Sequence, residues 1–163
     1  KNREEHAVVV DMLRATLGPL VDDLAVEPRP RVVRLPTVQH LATEVAGRLP
    51  AGGGLLGLVE HLHPTPAVGG WPREAALAYI AAEEDLDRGW YAGAVGWVDL
   101  CGDGEFVVGI RSGVISGSRA SLFAGCGIVA DSEPDREWEE SEWKLRALAG
   151  GLGRILDGAE GGR

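Results

Sequence analysis

Residues 92–112 read AGAVGWVDLCGDGEFVVGIRS, and their pattern decides the fold class. Two apolar runs, 92–100 and 105–112, flank the sequence CGDG. A Gly/Asp-rich connection between two such runs predicts a β-hairpin. A third apolar run, 120–130, predicts another strand. Asp131 or Ser132 is then placed to cap a final helix over 134–149. Leu145, Leu148, Leu152 and Ile155 extend the apolar stripe of that helix, while Gly150, Gly151 and Gly153 weaken its end.

Upstream of the hairpin the pattern is mixed. Residues 3–17 read as a helix with Val9, Met12, Leu13 and Leu17 near one face, and Thr16 interrupts the stripe. Residues 26–30 (VEPRP) predict a turn, 31–35 a short strand and 39–47 another. Residues 53–62 predict a helix, 63–70 a proline-containing loop, and 73–84 an Ala-rich helix with Pro72 in its first turn. The fold class that follows is α+β: a mostly antiparallel sheet with packed helices.

Composition narrows the function. The 163 residues suit one domain, and 45% hydrophobic content is ample for a core. Lys and Arg number 16 against 25 Asp and Glu, giving a net charge of −9. No basic stripe is present to replace counterions on a phosphate backbone, so no nucleic-acid partner is expected. No apolar run reaches the roughly 18 residues of a membrane span, and no membrane partner is expected. Cys101 and Cys126 have neither metal-ligand nor redox spacing, which fits a reducing, cytoplasmic setting. The 24 glycines are clustered without a period, so a repeat array is not expected. The chain starts at Lys1 inside a helical pattern, as a fragment would, and residues 156–163 read as a flexible tail.

Glu137, Glu140 and Lys144 stand three and four residues apart, so a helix places them on one face that continues to Leu148. Two close carboxylates repel unless a cation intervenes, and Mg²⁺ prefers such oxygen ligands. A solvated i, i+4 ion pair is the commoner outcome of the same spacing. Glu5 lies on the first helix, where a surface acid at a helix start is the ordinary reading. Arg111 shares one strand face with Glu105, Val107 and Gly109, and its guanidinium matches a carboxylate in two hydrogen bonds. An edge-strand Arg paired with an acid is the plainer alternative. Gly125 and Gly127 alternate in the third strand, which suits close approach of a ligand or of a packed helix. His61 and His63 lack further ligands for zinc, and His40 alone fits core or surface. There is no nucleophile elbow at GCG (125–127), and AGGGLLG (51–57) lacks the ending of a P-loop.

Five motifs occur in order: LHPTPAVGG (62–70), RGWYAGAVGW (88–97), Ile110 with Arg111, AGCGIVADS (124–132) and EWEESEWK (137–144). The set resembles the chorismate-binding enzymes, on the side of isochorismate synthase, and the resemblance covers essentially the whole chain. It implies the C-terminal portion of one catalytic domain over 1–155 and the corresponding fold. It implies chorismate as substrate and Mg²⁺ as cofactor. Glu5, from the Glu-His pair, and Glu140 match the metal ligands, and Glu137 matches an outer acid that reaches the metal through water. Lys144 matches a residue near the ring carboxylate. Arg111, Tyr91 and the backbone of Gly127 match the holders of the pyruvyl carboxylate, and His40 matches a histidine near the ring. Asn2 departs from the pattern, since many relatives carry an acid there. Ala67 stands where anthranilate and salicylate synthases tend to have Thr. The product implied is isochorismate, for menaquinone or siderophore synthesis. The family's lysine base and glutamic acid have no match in this chain, so a missing N-terminal portion is the expected partner and the chain alone is expected to be inactive.

Overall fold

The computed structural model describes the backbone of residues 2–34 and 39–160, and the side chains of 3–34 and 39–153. The expected strand end at Leu35, Lys1, residues 161–163 and the side chain of Ile155 lie outside the described residues. The chain divides into two compact units, Lys1–Asp85 with Gly96–Phe106, and Leu86–Val95 with Val107–Arg163.

The first unit opens with α1 (Asn2–Leu17). Met12, on its apolar stripe, is buried, and Thr16 donates a hydrogen bond to the Met12 sulfur at 3.4 Å. The off-pattern Thr16 thereby finds a partner within the helix. Gly18 and Pro19 end α1, with the Gly18 amide closing on the Arg14 carbonyl. Two antiparallel ladders follow, one nested in the other by sequence. β1 (Asp22–Val26) pairs with β4 (Val45–Arg48), and β2 (Arg31–Arg34) pairs with β3 (Gln39–Ala42). The expected strand over 39–47 is therefore two strands, broken at Thr43 and Glu44. The amide of Glu44 donates to the Glu27 carboxylate at 3.1 Å, while the Glu27 amide donates to the Glu44 carbonyl at 2.9 Å.

Then come α2 (Leu55–Leu62), α3 (Pro66–Gly69) and α4 (Arg73–Glu83). The helical turn α3 corrects the expected loop over 63–70. Pro66 fixes its own φ at the first helical position, where its missing N–H costs nothing. Pro72 sits at the N-cap of α4, just outside the helix. α1 packs on α2 and α3, and α3 packs on α4.

The predicted hairpin is formed by β5 (Ala94–Val98) and β6 (Gly104–Val108). Asp99 shapes its turn, its carboxylate accepting from the amides of Cys101 at 2.8 Å and Asp103 at 3.0 Å. In the second unit β7 (Ser112–Ser116) and β8 (Arg119–Phe123) form another antiparallel ladder, and α5 (Pro134–Glu160) packs on β8. β7 is an unexpected strand, and the third predicted strand ends at Phe123 rather than 130. α5 runs past its expected end at 149 to Glu160, through three glycines.

The architecture is α+β with antiparallel pairing. Among the described residues, however, the strands form four two-stranded ladders rather than one broad sheet. Narrow ladders offer little face for helices to cover. Met12 and Ala92 are the apolar side chains that are buried among those described, at 8% and 7% exposed, while Trp71, Trp90, Ile115, Ile128 and Trp138 are more than half exposed.

Candidate functional site

The second unit gathers most of the anticipated site residues. α5 places Glu137, Glu140, Ser141 and Lys144 at helical spacings of three and four, so they share a face. Glu137 is buried, with 6% of its surface exposed, which is unusual for a carboxylate. Lys144 Nζ lies 2.7 Å from Glu140 Oε1 and donates to the Gly125 carbonyl at 2.8 Å. The i, i+4 ion pair read as the plainer alternative does form. Its lysine side chain is only 15% exposed and is tied to a second element, so it is more than a solvated surface pair.

Gly125 and Gly127 lie beyond the end of β8, in an irregular segment, so the strand alternation assigned to them does not hold. α5 holds that segment at several points. Besides Lys144 on Gly125, the Cys126 thiol donates to the Glu137 carbonyl and accepts from the Ser141 hydroxyl, each at 3.5 Å. Burial pushes the Cys126 thiol up from its usual value; the Ser141 hydrogen bond opposes this and Glu137 adds to it.

Arg111 is likewise not on a strand. β6 ends at Val108, and Arg111 adopts a left-handed φ of +49° with an exposed side chain. The face shared with Glu105 and Val107 is therefore broken. The left-handed turn, not strand alternation, sets the direction of Arg111. Ala92, beside Tyr91, is left-handed too at φ +65°. The two segments are laced together, since the Ala92 amide donates to the Gly109 carbonyl and the Gly109 amide to the Gly93 carbonyl, both at 2.8 Å. Non-glycine residues with positive φ are uncommon and cluster where a site is held in a fixed shape. The Tyr91 ring stacks on Phe123 at a centroid distance of 5.7 Å.

The first unit carries Glu5 and His40. Glu5 is half-buried on α1, and its neighbour His6 shares a hydrogen bond of 2.7 Å with the Thr43 hydroxyl. His40 stands exposed on β3, paired in register with Val33. No group of three or more acidic, His or Cys side chains forms a ready cation cage among the described residues. The donor chemistry still fits Mg²⁺, which takes one or two carboxylates and completes its shell with water and substrate oxygens. A buried acid such as Glu137 is the kind of group a cation stabilises.

With this geometry in place, comparison with known proteins is decisive. A family model described as Chorismate binding enzyme matches residues 1–153. The chain belongs to the chorismate-binding enzymes. A salicylate biosynthesis isochorismate synthase of Pseudomonas aeruginosa is 48% identical over 155 residues, covering 95% of this chain and 33% of that protein. The isochorismate synthase MenF of Bacillus subtilis is 45% identical over 153 residues, covering 94% and 32%. The chain thus spans about a third of the length of these relatives. A crystal structure described as a 2,3-dihydroxybenzoate-specific isochorismate synthase, DhbC, from Bacillus anthracis superposes with a TM-score of 0.86 at 41% identity, covering 92% of this chain and 40% of that one. Anthranilate synthase component I from Streptococcus pneumoniae gives 0.81 at 30% identity, covering 90% and 34%.

Sequence reasoning located the acidic face of α5 within this chorismate-binding fold but missed the Lys144 contact with Gly125. The spacing from Glu137 to Lys144 pointed at the helix face and gave no signal of what it would touch. The left-handed turns at Ala92 and Arg111 were missed because neither residue type announces a positive φ.

Proposed function

We propose that this chain is part of an isochorismate synthase and supplies the anion-holding side of its chorismate pocket. The observation that carries this reading is Lys144, which joins the acidic face of α5 to the glycine segment at 2.7 Å and 2.8 Å. Chorismate is a dianion, and an ammonium fixed between the Gly125 carbonyl and Glu140, on a helix face that also carries Glu137, suits one of its carboxylates together with a hard cation.

In this reading Lys144 holds the ring carboxylate. Arg111, Tyr91 and the Gly127 backbone hold the pyruvyl carboxylate, and His40 stands toward the ring. Glu5 and Glu140 would hold the metal, with Glu137 as an outer acid acting through water. Mg²⁺, when bound, offsets the charge of the ring carboxylate and orients it. Water adds at C2 and the C4 hydroxyl leaves. The general base and acid for these steps belong to a further, N-terminal portion of the enzyme, which completes the catalytic domain whose C-terminal portion is residues 1–155. The product serves menaquinone or siderophore synthesis in the cytoplasm. The reading is supported by relatives named isochorismate synthases at 48% and 45% identity, against 30% for the anthranilate synthase.

The test is a graft. Residues 1–153 replace the matching segment of the Bacillus subtilis MenF, and the folded chimera is given chorismate and Mg²⁺ without ammonia or glutamine. Isochorismate is the expected product. A chimera that makes anthranilate once ammonia is added, and no isochorismate, overturns the reading.

A further inference from the structure

We propose that Ser141 and Cys126 are positioning residues that fix the backbone of residues 125–127 for a substrate carboxylate, a role that rests on the isochorismate synthase reading above. The Cys126 thiol sits over one turn of α5. It donates to the Glu137 carbonyl and accepts from the Ser141 hydroxyl, each at 3.5 Å. Glu137 and Ser141 are four residues apart, so both partners lie on one face of the helix. Lys144 continues that face and donates to the Gly125 carbonyl at 2.8 Å. Two consecutive residues, Gly125 and Cys126, are thus tied to α5 at three points.

One tie would leave the segment free to turn about it. Ties to adjacent residues fix both its distance from α5 and its rotation, and with them the direction of the next peptide group, at Gly127. Such ties are needed here. Gly125 and Gly127 carry no side chains to pack, and they lie beyond the end of β8. Cys126 and Ser141 also stand in the wall of a cavity of about 340 Å³ shared with Ile128, Pro134 and Trp138, so close packing does not hold that side of the segment.

Groups assigned to the substrate converge on the same segment. Lys144 reaches Gly125 from α5, and the Tyr91 hydroxyl stands close against Gly125. Tyr91, Lys144, Ser141 and residues 125–127 all belong to the second unit. A shift of the segment therefore misplaces the Gly127 backbone relative to Tyr91 and Lys144. The carboxylate held there keeps its charge while the hydroxyl chemistry proceeds on the ring. Ground state and transition state then lose the same contact, and the cost falls on KM rather than on kcat.

In the MenF chimera, Ser141→Ala raises the chorismate KM about fivefold and keeps kcat within about twofold, the scale of one lost hydrogen bond. Cys126→Ala does the same. The double variant is no worse than Cys126→Ala alone, about fivefold rather than about twenty-five-fold, because both changes remove the contact between them. Ser141→Thr keeps the hydroxyl and restores KM to within about twofold of the parent. Hydrogen exchange reads the segment without turnover: the peptide over residues 124–129 exchanges faster in Ser141→Ala. Should Ser141→Ala not fold, Ser141→Cys, whose thiol is a weaker donor, carries the test with KM raised about threefold. An unchanged KM, a loss confined to kcat, effects that multiply in the double variant, or unchanged exchange overturns the proposal. A parent chimera that makes no isochorismate sinks the underlying reading instead, and the exchange result still decides the positioning role.

Discussion

The Tyr91 hydroxyl lies 3.0 Å from the point where a Cβ on Gly125 would stand. The ring cannot drift away freely, because it stacks on Phe123. Glycine at 125 is thus fitted to tyrosine at 91. Gly125→Ala pushes the hydroxyl aside by a few tenths of an ångström and raises the chorismate KM about fivefold, with a smaller effect on kcat. Steady-state kinetics of the variant within the MenF chimera check this, and an unchanged KM would detach Tyr91 from the substrate.

Lys144 has two partners, and its removal affects both. Lys144→Met leaves the Gly125 carbonyl without its charged donor and Glu140 without its ammonium. The expected cost is about 1–3 kcal/mol of folding stability, read from urea denaturation. A variant as stable as the parent would mean that water replaces both contacts at no cost.

Glu140 presents the opposite balance, with its side chain 45% exposed. Glu140→Ala costs about 1 kcal/mol, since the Glu140 side chain is close to half in water and Lys144 keeps the Gly125 carbonyl as a partner. In the MenF chimera, Mg²⁺-dependent isochorismate formation is expected to be lost. A metal titration of activity alongside a melting curve checks both halves, and preserved metal dependence removes Glu140 from the ligand set.

Cys126 gives the chain a pH signature. Burial raises its thiol pKa in the folded state, so the folded protein keeps a proton that the unfolded chain releases. Its contribution to stability is complete below the unfolded value, near 9.0, and is lost as pH rises through the raised folded value. Cys126→Ala removes that component of the alkaline stability profile. At pH 8 iodoacetamide modifies the exposed Cys101 before Cys126, and mass spectrometry of the two peptides reads the order.

The elements that could be read from sequence are those whose period is set by their own side chains. α1, α2, α4, the hairpin and the start of α5 follow from apolar spacing and turn chemistry. β7 escaped notice because SGVIS is short and polar at its ends, and α3 because four residues carry no periodicity. α5 outran its expected end because glycine costs a helix only about 1 kcal/mol each. In the site, the face shared by Glu137, Glu140 and Lys144 was visible as a spacing. The burial of Glu137 and the reach of Lys144 to Gly125 depend on a segment that sequence placed in a strand. Arg111 was assigned a direction by alternation, and a single left-handed φ cancelled it.

The hairpin of β5 and β6 also governs how the chain can be taken apart. Its turn, within Gly96–Phe106, belongs with the first unit, while its flanks Leu86–Val95 and Val107 onward belong with the second. The polypeptide therefore passes from one unit to the other at three places. One proteolytic nick leaves the halves still joined by unbroken peptide, and no single truncation yields either unit whole. Insertion, fusion and domain exchange must respect that threading, since separating the units takes all three cuts, after Asp85, Val95 and Phe106.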